Sequence, residues 1–134
     1  MIVDTSALVA IMWNEPEAKP FVQVLLEDDA SELSAASYLE LGIVIDRKGN
    51  AVASARIDTL IAELSIEIAP VTASQAKLAR QAYRDFGKGS GHKAKLNFGD
   101  CFAYALATER GEPLLYKGDD FAHAGLTKVA ARKD

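Results

Sequence analysis

The sequence predicts an α/β fold, a sandwich of helices around a mostly parallel sheet. Short apolar runs of strand length alternate along the chain with segments whose apolar residues recur at helical spacing. The stretches between successive apolar runs are long enough for the crossover connections that parallel strands require. At 134 residues, with 49% hydrophobic and 25% charged residues, the chain has the size and composition of an ordinary globular domain. We therefore expect a single domain over residues 1–134.

The first half of the chain predicts strands over residues 2–4 and 32–34 and helices over residues 7–12, 16–26, 34–47 and 51–64. The first strand is the apolar run that opens the chain. Pro16 suits the first turn of the second helix, in which Phe21 and Leu25 recur at helical spacing. The third helix is apolar on nearly every side around Glu40, so we expect it to be buried, and a turn at Gly49 separates it from the fourth.

The second half predicts strands over residues 66–69, 114–116 and 127–130 and helices over residues 72–86 and 98–110. The first of these helices begins at the capping-box sequence TASQ. Gly111 suits the C-terminal cap of the other helix, and Pro113 then leads into the next strand. The strand over residues 127–130 would lie at an edge of the sheet.

Charge and cysteine content limit the classes of function. The net charge of −4 argues against a protein that coats nucleic acid by bulk electrostatics, although a local basic patch could still bind RNA. The single cysteine, Cys101, cannot form an internal disulfide, which fits a reducing compartment. The sequence has no signal-peptide pattern and no apolar run of about 18 residues. We expect a cytoplasmic protein without a membrane-spanning segment.

Acidic residues follow or flank the predicted strands at one edge of the sheet. Asp4 ends the first strand, and Glu40 lies in the helix after the second. Asp100 begins the helix that precedes the strand over residues 114–116, and Asp119 follows that strand. Because open α/β sheets bind their ligands outside the carboxyl ends of the strands, these four side chains are candidates for one site.

Each acid taken singly also has a purely structural explanation. These are a helix cap at Asp4, a capping box of Ser37 with Glu40, a helix-dipole acid at Asp100 behind Asn97, and a solvated turn at Asp119-Asp120. These separate structural explanations are less convincing when the four acids are considered together. If the acids converge on one edge, they repel each other, and two carboxylates ~4 Å apart repel by about 4 kcal/mol at an effective dielectric constant near 20. Such a cluster requires a cation, and all-oxygen ligands select Mg²⁺ or Mn²⁺.

Four segments, "MIVDTSALVAI", "SAASYLELGIV", "LNFGDCFAYALA" and "LLYKGDDF", carry these acids. In this order they resemble the four acidic blocks of PIN domains, and most of all those of the VapC toxins of bacterial toxin–antitoxin pairs. The resemblance implies a three-layer α/β/α PIN-like fold and a Mg²⁺-dependent endoribonuclease, with Mn²⁺ as the other candidate ion, that hydrolyses RNA phosphodiester bonds. It also implies a homodimer and a cognate VapB-type antitoxin.

The resemblance assigns catalytic and metal-binding roles to four positions, Asp4, Glu40, Asp100 and Asp119. At the fourth position the sequence departs from the family, because Gly118 stands where the family often has an acid. Asp119 is therefore the assignment and Asp120 the alternative. By the same resemblance Ser6 would support the first acid and Asn97 the third, and Glu40 could orient or deprotonate the attacking water.

The segment over residues 87–96 is rich in glycine and lysine and contains no acid. Lys88, Lys93 and Lys95 could contact RNA phosphates, since the segment directly precedes the third acid. Contacts of this kind give affinity and register rather than base selection. The alternative is a solvated loop without a role in binding.

Two other classes of function compete with a nuclease. A receiver-type phosphoacceptor domain has acids at strand tips and a late lysine, which Lys117 could supply. It needs paired acids at the first strand and an acid after the third, and the strand over residues 66–69 ends at Pro70 instead. The other alternative is a PIN-like binding module without catalysis. The chain lacks Walker A, dinucleotide-binding, nucleophile-elbow and zinc-ligand spacings, which excludes those classes.

Overall fold

A short parallel sheet lies at the centre of the computed structural model, which describes residues 1–129. Its strands are β1 (Ile2–Val3), β2 (Glu32–Ser34), β3 (Glu67–Ala69) and β4 (Leu114–Leu115). The strand order is β3-β2-β1-β4, and every pair is parallel. Ile2 lies opposite Glu32 on one side and Leu114 on the other, so β1 is an inner strand. The carboxyl ends of all these strands therefore meet at one edge.

Seven helices lie within the described residues. They are α1 (Thr5–Met12), α2 (Ala18–Glu27), α3 (Ala35–Asp46), α4 (Ala51–Glu63), α5 (Ala73–Phe86), α6 (Asp100–Arg110) and α7 (Asp120–His123). Asp4, Ser34, Asn50 and Thr72 cap their helices by accepting a hydrogen bond from a first-turn amide. Gly111 ends α6 in the left-handed conformation that glycine adopts without strain.

Two apolar clusters show that helices cover both faces of the sheet. Successive strand residues point to opposite faces, and Val3 belongs to a cluster with residues of α1 to α4 whereas Ile2 belongs to one with residues of α5 and α6. Leu115 and Leu114 divide between the clusters in the same way. The α/β prediction is confirmed with a three-layer arrangement, and the sheet is entirely parallel in the described residues.

Helix α3 differs from its prediction. Its sequence is apolar on nearly every side, yet Leu39 is 63% exposed and Ile43 is 45% exposed. Only Ser37, Leu41 and Ile45 are buried, because a helix in an outer layer has one face toward the sheet and one toward solvent. The expectation that this whole helix is buried around Glu40 is wrong.

Smaller differences concern element ends. Helix α6 begins at Asp100 rather than at residue 98. The predicted edge strand over residues 127–130 is reduced to a single parallel bridge between Lys128 and Leu114, and residue 130 lies outside the described residues. No helix among residues 1–129 has both the length and the apolar character needed to cross a bilayer.

A Leu→Ala substitution should lower the free energy of unfolding by very different amounts on the two faces of α3. Leu41→Ala removes a fully buried side chain and should lower the free energy of unfolding by about 2–5 kcal/mol. Leu39→Ala, on the exposed face, should change it by about 0.5 kcal/mol or less. Urea unfolding of both variants measures the difference, and equal losses would contradict the orientation of α3.

Candidate active site

Asp4 lies at the carboxyl end of the inner strand β1 and caps helix α1. Its Oδ2 accepts a hydrogen bond of 2.9 Å from the amide of Ser6. Its Oδ1 is buried and has no hydrogen-bond partner among residues 1–129. The capping explanation therefore accounts for one carboxylate oxygen and leaves the other unexplained, although a buried polar atom without a partner is costly.

Burial raises the pKa of Asp4 above its ordinary value. Hydrogen bonds from Ser6 oppose this shift, and the negative charge of Glu40 adds to it. The charge of Glu40 is therefore close enough to act on Asp4. Asp4 caps α1 and Glu40 lies in α3, and these two helices pack against each other. A hydrogen bond of 3.0 Å from the Thr5 hydroxyl to the Ser37 carbonyl joins the same two helices.

Asp100, the first residue of α6, forms a reciprocal pair with Asn97. The Asn97 amide donates to Asp100 Oδ2 at 2.9 Å, and the Asp100 amide donates to Asn97 Oδ1 at 2.8 Å. Asn97, which the sequence resemblance suggested as a support for Asp100, therefore fixes the Asp100 side chain. Ser6 holds a comparable position, because its hydroxyl accepts from the Lys117 amide at 3.0 Å while its own amide binds Asp4.

Burial raises the pKa of Asp100 to about 7. The hydrogen bond from the Asn97 amide opposes the shift, while the charges of Asp4, Glu40 and Asp120 increase it. The charges of these three acids therefore act on Asp100, each as a smaller cause of the pKa shift than burial.

Gly99 explains how Glu40 reaches this group, and the sequence analysis missed it. A Cβ at Gly99 would overlap the Glu40 carboxylate. Glycine at this position therefore allows α3 to place its one site acid directly against the start of α6. The residue's backbone is right-handed helical, so the requirement is for space rather than for an unusual φ.

The fourth predicted acid, Asp119, has different surroundings. Its charge raises the pKa of Tyr116, secondary to the burial of that phenol. Its side chain lines a cleft with Tyr116 and Lys128, and none of the other three site acids lines that cleft. The charge of Asp120, the alternative, has the smallest of the effects that raise the pKa of Asp100. The catalytic role stays a prediction for Asp119 and for Asp120 alike.

The chemistry of these donors fits a hard cation. Within residues 1–129, no lysine or arginine forms an ion pair with Asp4, Glu40 or Asp100. The unpaired Oδ1 of Asp4 and the neighbouring carboxylates are the oxygen ligands that Mg²⁺ prefers. The arrangement itself is not a formed site, since no three acidic, histidine or cysteine side chains of the described residues are grouped to hold a metal.

The lysines predicted to contact RNA lie on an anchored segment. The Lys88 amide donates to the Leu96 carbonyl at 2.7 Å, and the Leu96 amide donates to the Phe86 carbonyl at 2.9 Å. Leu96 itself is fully buried. Lys88, Lys93 and Lys95 are all exposed on this frame and form no ion pair within the part of the chain described.

Comparison with known proteins identifies the family. The PIN domain family model matches residues 1–126. The chain is 53% identical to Ribonuclease VapC28 of Mycobacterium tuberculosis over 133 residues, which cover 99% of this chain and 100% of that protein. It is 46% identical to Ribonuclease VapC42 of the same organism over 126 residues, or 94% and 96% of the two chains. The chain belongs to the VapC-type PIN-domain ribonucleases.

Solved structures agree on the fold of this VapC-type chain. The crystal structure of M. tuberculosis VapC20, a toxin that cleaves the sarcin-ricin loop, has a TM-score of 0.75 at 18% identity and covers 96% of this chain and 97% of that one. A toxin–antitoxin complex from Klebsiella pneumoniae has a TM-score of 0.71 at 17% identity, covering 99% and 98%. The predicted PIN-like fold is confirmed. Family membership makes the protein a ribonuclease toxin of a toxin–antitoxin system and removes the receiver alternative.

The raised pKa of Asp100 predicts the pH dependence of stability in the metal-free VapC-type protein. A carboxyl group with a higher pKa when folded contributes stability that is complete below its ordinary value of 3.8 and is lost as pH rises through about 7. We expect the free energy of unfolding in EDTA to decrease across this window. Asp100→Asn, which cannot ionise, should reduce that decrease.

Urea unfolding in EDTA at about pH 5 and about pH 8 measures both proteins on either side of the pKa. An equal loss of stability in wild type and Asp100→Asn would show that Asp100 is not the group responsible. Glu63→Gln, at an exposed position in α4, is the matched control for removal of one negative charge.

Proposed function

We propose that this VapC-type toxin hydrolyses RNA with Mg²⁺ or Mn²⁺ held by Asp4, Glu40, Asp100 and Asp120. The observation that carries the proposal is the buried, unpaired Oδ1 of Asp4, which lies among carboxylates whose charges act on one another. Asp119, the residue assigned from the sequence, is the alternative for the fourth position. Divalent ions are general among PIN-domain nucleases, and the choice of Mg²⁺ follows from the all-oxygen donors.

The residues of the site divide into fixed and free carboxylates. Asp4 is held by Ser6, and Asp100 is held by Asn97, so both are oriented before a ligand arrives. Glu40 accepts no hydrogen bond within the described residues and is half-buried. A carboxylate with free oxygens suits the task of orienting water and accepting its proton. The bound ion would polarise the scissile phosphate and lower the pKa of that water.

Partners follow from family membership. The structural neighbour solved as a toxin–antitoxin complex supports a VapB-type antitoxin that blocks this site. The proposal includes a homodimer, as the sequence resemblance implies, and Lys88, Lys93 and Lys95 as phosphate contacts. The proposal also includes action in the cytoplasm, as expected from the sequence. Loss of catalysis with retained RNA binding would mark the chain as the non-catalytic module instead.

Metal binding should stabilise the folded protein. An ion present at about 100 times its dissociation constant adds about 2.7 kcal/mol to the free energy of unfolding. We expect a higher melting temperature in excess Mg²⁺ or Mn²⁺ than in EDTA. Asp100→Asn should reduce the shift, whereas the exposed-site control Glu63→Gln should keep it. A wild-type protein that melts at the same temperature in both solutions would contradict the metal site.

A matched pair of substitutions identifies which residue is the fourth acid of the proposed site. Asp120→Asn should lower kcat for cleavage of a labelled RNA by at least about 10-fold, an effect that even outer partners of metal ligands reach. Asp119→Asn should leave kcat within about 2-fold of wild type, since its charge acts on Tyr116. The reverse pattern would restore the assignment of Asp119. Asp100→Asn is the reference for complete loss.

A further inference from the structure

An apolar groove lies between helices α5 and α6, beside the proposed catalytic acids. Its volume is about 370 Å³, in the lower part of the range of ligand pockets. Tyr83, Phe98 and Phe102 supply its aromatic walls, and Arg80 lies at its polar end. Phe98 precedes Asp100 by two residues and Phe102 follows it by two, so the groove borders the start of α6.

Two aromatic side chains of the groove, Phe98 and Tyr83, are exposed and pack on neighbouring groups. Phe98 is 76% exposed and packs edge-to-face on Phe102, with ring centroids 5.0 Å apart and an interplanar angle of 83°. Tyr83 is 44% exposed, and a Cβ at Gly87 would lie only 2.9 Å from two of its ring atoms. Gly87 therefore lets the Tyr83 ring lie directly on the backbone. Preorganised rings lose little conformational entropy when they bind a planar ligand.

A row of cations on α5 leads into this groove. Lys77, Arg80 and Arg84 are exposed at helical spacing and line a second depression, which meets the groove at Arg80. Arg84 pairs with Asp85 at 3.7 Å, in the open, where such a pair contributes little. Lys77 and Arg80 have no carboxylate partner in the described residues. We call this row the α5 basic strip.

We propose that the groove binds one base of single-stranded RNA, with the flanking phosphates on the α5 basic strip. The inference rests on the proposed function, for which it supplies a path that leads the strand to Asp100. A protein partner is less suited to this surface, because three cations in a row match a phosphate backbone and exposed rings match unstacked bases. Stacking on Phe98 would tolerate any base.

The test is RNA binding in EDTA, measured by fluorescence anisotropy with a labelled single strand of roughly 12 nucleotides. Phe98→Ala should weaken binding about 5- to 100-fold, as expected for one lost stacking contact. Phe98→Trp should bind as wild type, since it keeps an aromatic surface. Leu26→Ala, which removes another exposed apolar side chain on α2, is the matched control and should have no effect.

An abasic strand of the same length separates the base from the phosphates. Wild type and Phe98→Ala should bind it equally, because the groove then has no base to hold. Phe98→Ala should leave the salt dependence unchanged, whereas Lys77→Ala with Arg84→Ala should reduce the slope of log affinity against log salt by about 1.4. Because no metal or cleavage is involved, failure of the proposed catalytic acids would leave this result intact.

Wild-type affinity in Phe98→Ala would overturn the proposal. So would full affinity in Phe98→Leu, because an apolar side chain without a ring would then suffice. Light scattering then measures the mass of each variant in solution. If Phe98→Ala halves the mass in solution at an unchanged melting temperature, the groove is an interface between protein chains and not an RNA site.

Discussion

Acidic side chains are buried at the carboxyl edge of the sheet, and the surrounding structure accommodates the cost of their burial. Parallel strands bring their carboxyl ends to one edge, and β1, which Asp4 directly follows, lies between two neighbours. Burial is the main cause of the raised pKa values of Asp4 and Asp100, and the charges of neighbouring acids add to it. Hydrogen bonds from the amides of Ser6 and Asn97 offset part of this cost and fix the two side chains.

The packing of the helices also positions the residues of the site. The strands are only two or three residues long, so stability depends on the apolar clusters on either side of the sheet. Helix α3 contacts α6 as well as the sheet, and Glu40 meets Gly99 where these helices approach. A side chain at position 99 would clash with the carboxylate end of Glu40 and displace it. Gly99 therefore leaves open the space that this acid occupies.

An acidic protein can act on an acidic polymer because its charges are segregated. The net charge is −4, yet α5 exposes a row of cations and the segment over residues 87–96 exposes three lysines. The segment over residues 87–96 directly precedes α6, and α5 packs against α6. Under the proposed function, phosphate contacts on these surfaces would supply affinity and the acids the chemistry, so the two could change independently.

The features that depend on local pattern could be predicted from the amino-acid sequence alone. These are the α/β class, most helix and strand positions, the caps at Asp4 and Thr72, and the family, whose acidic blocks stand in order along the chain. Which helix faces meet became clear only from the folded arrangement. It exposed Leu39 and Ile43, placed the Glu40 carboxylate against Gly99, and joined the α5 basic strip to the aromatic groove. The physical reason is that periodicity fixes the stripe on a helix, whereas the orientation of that stripe is set by packing against residues distant in sequence.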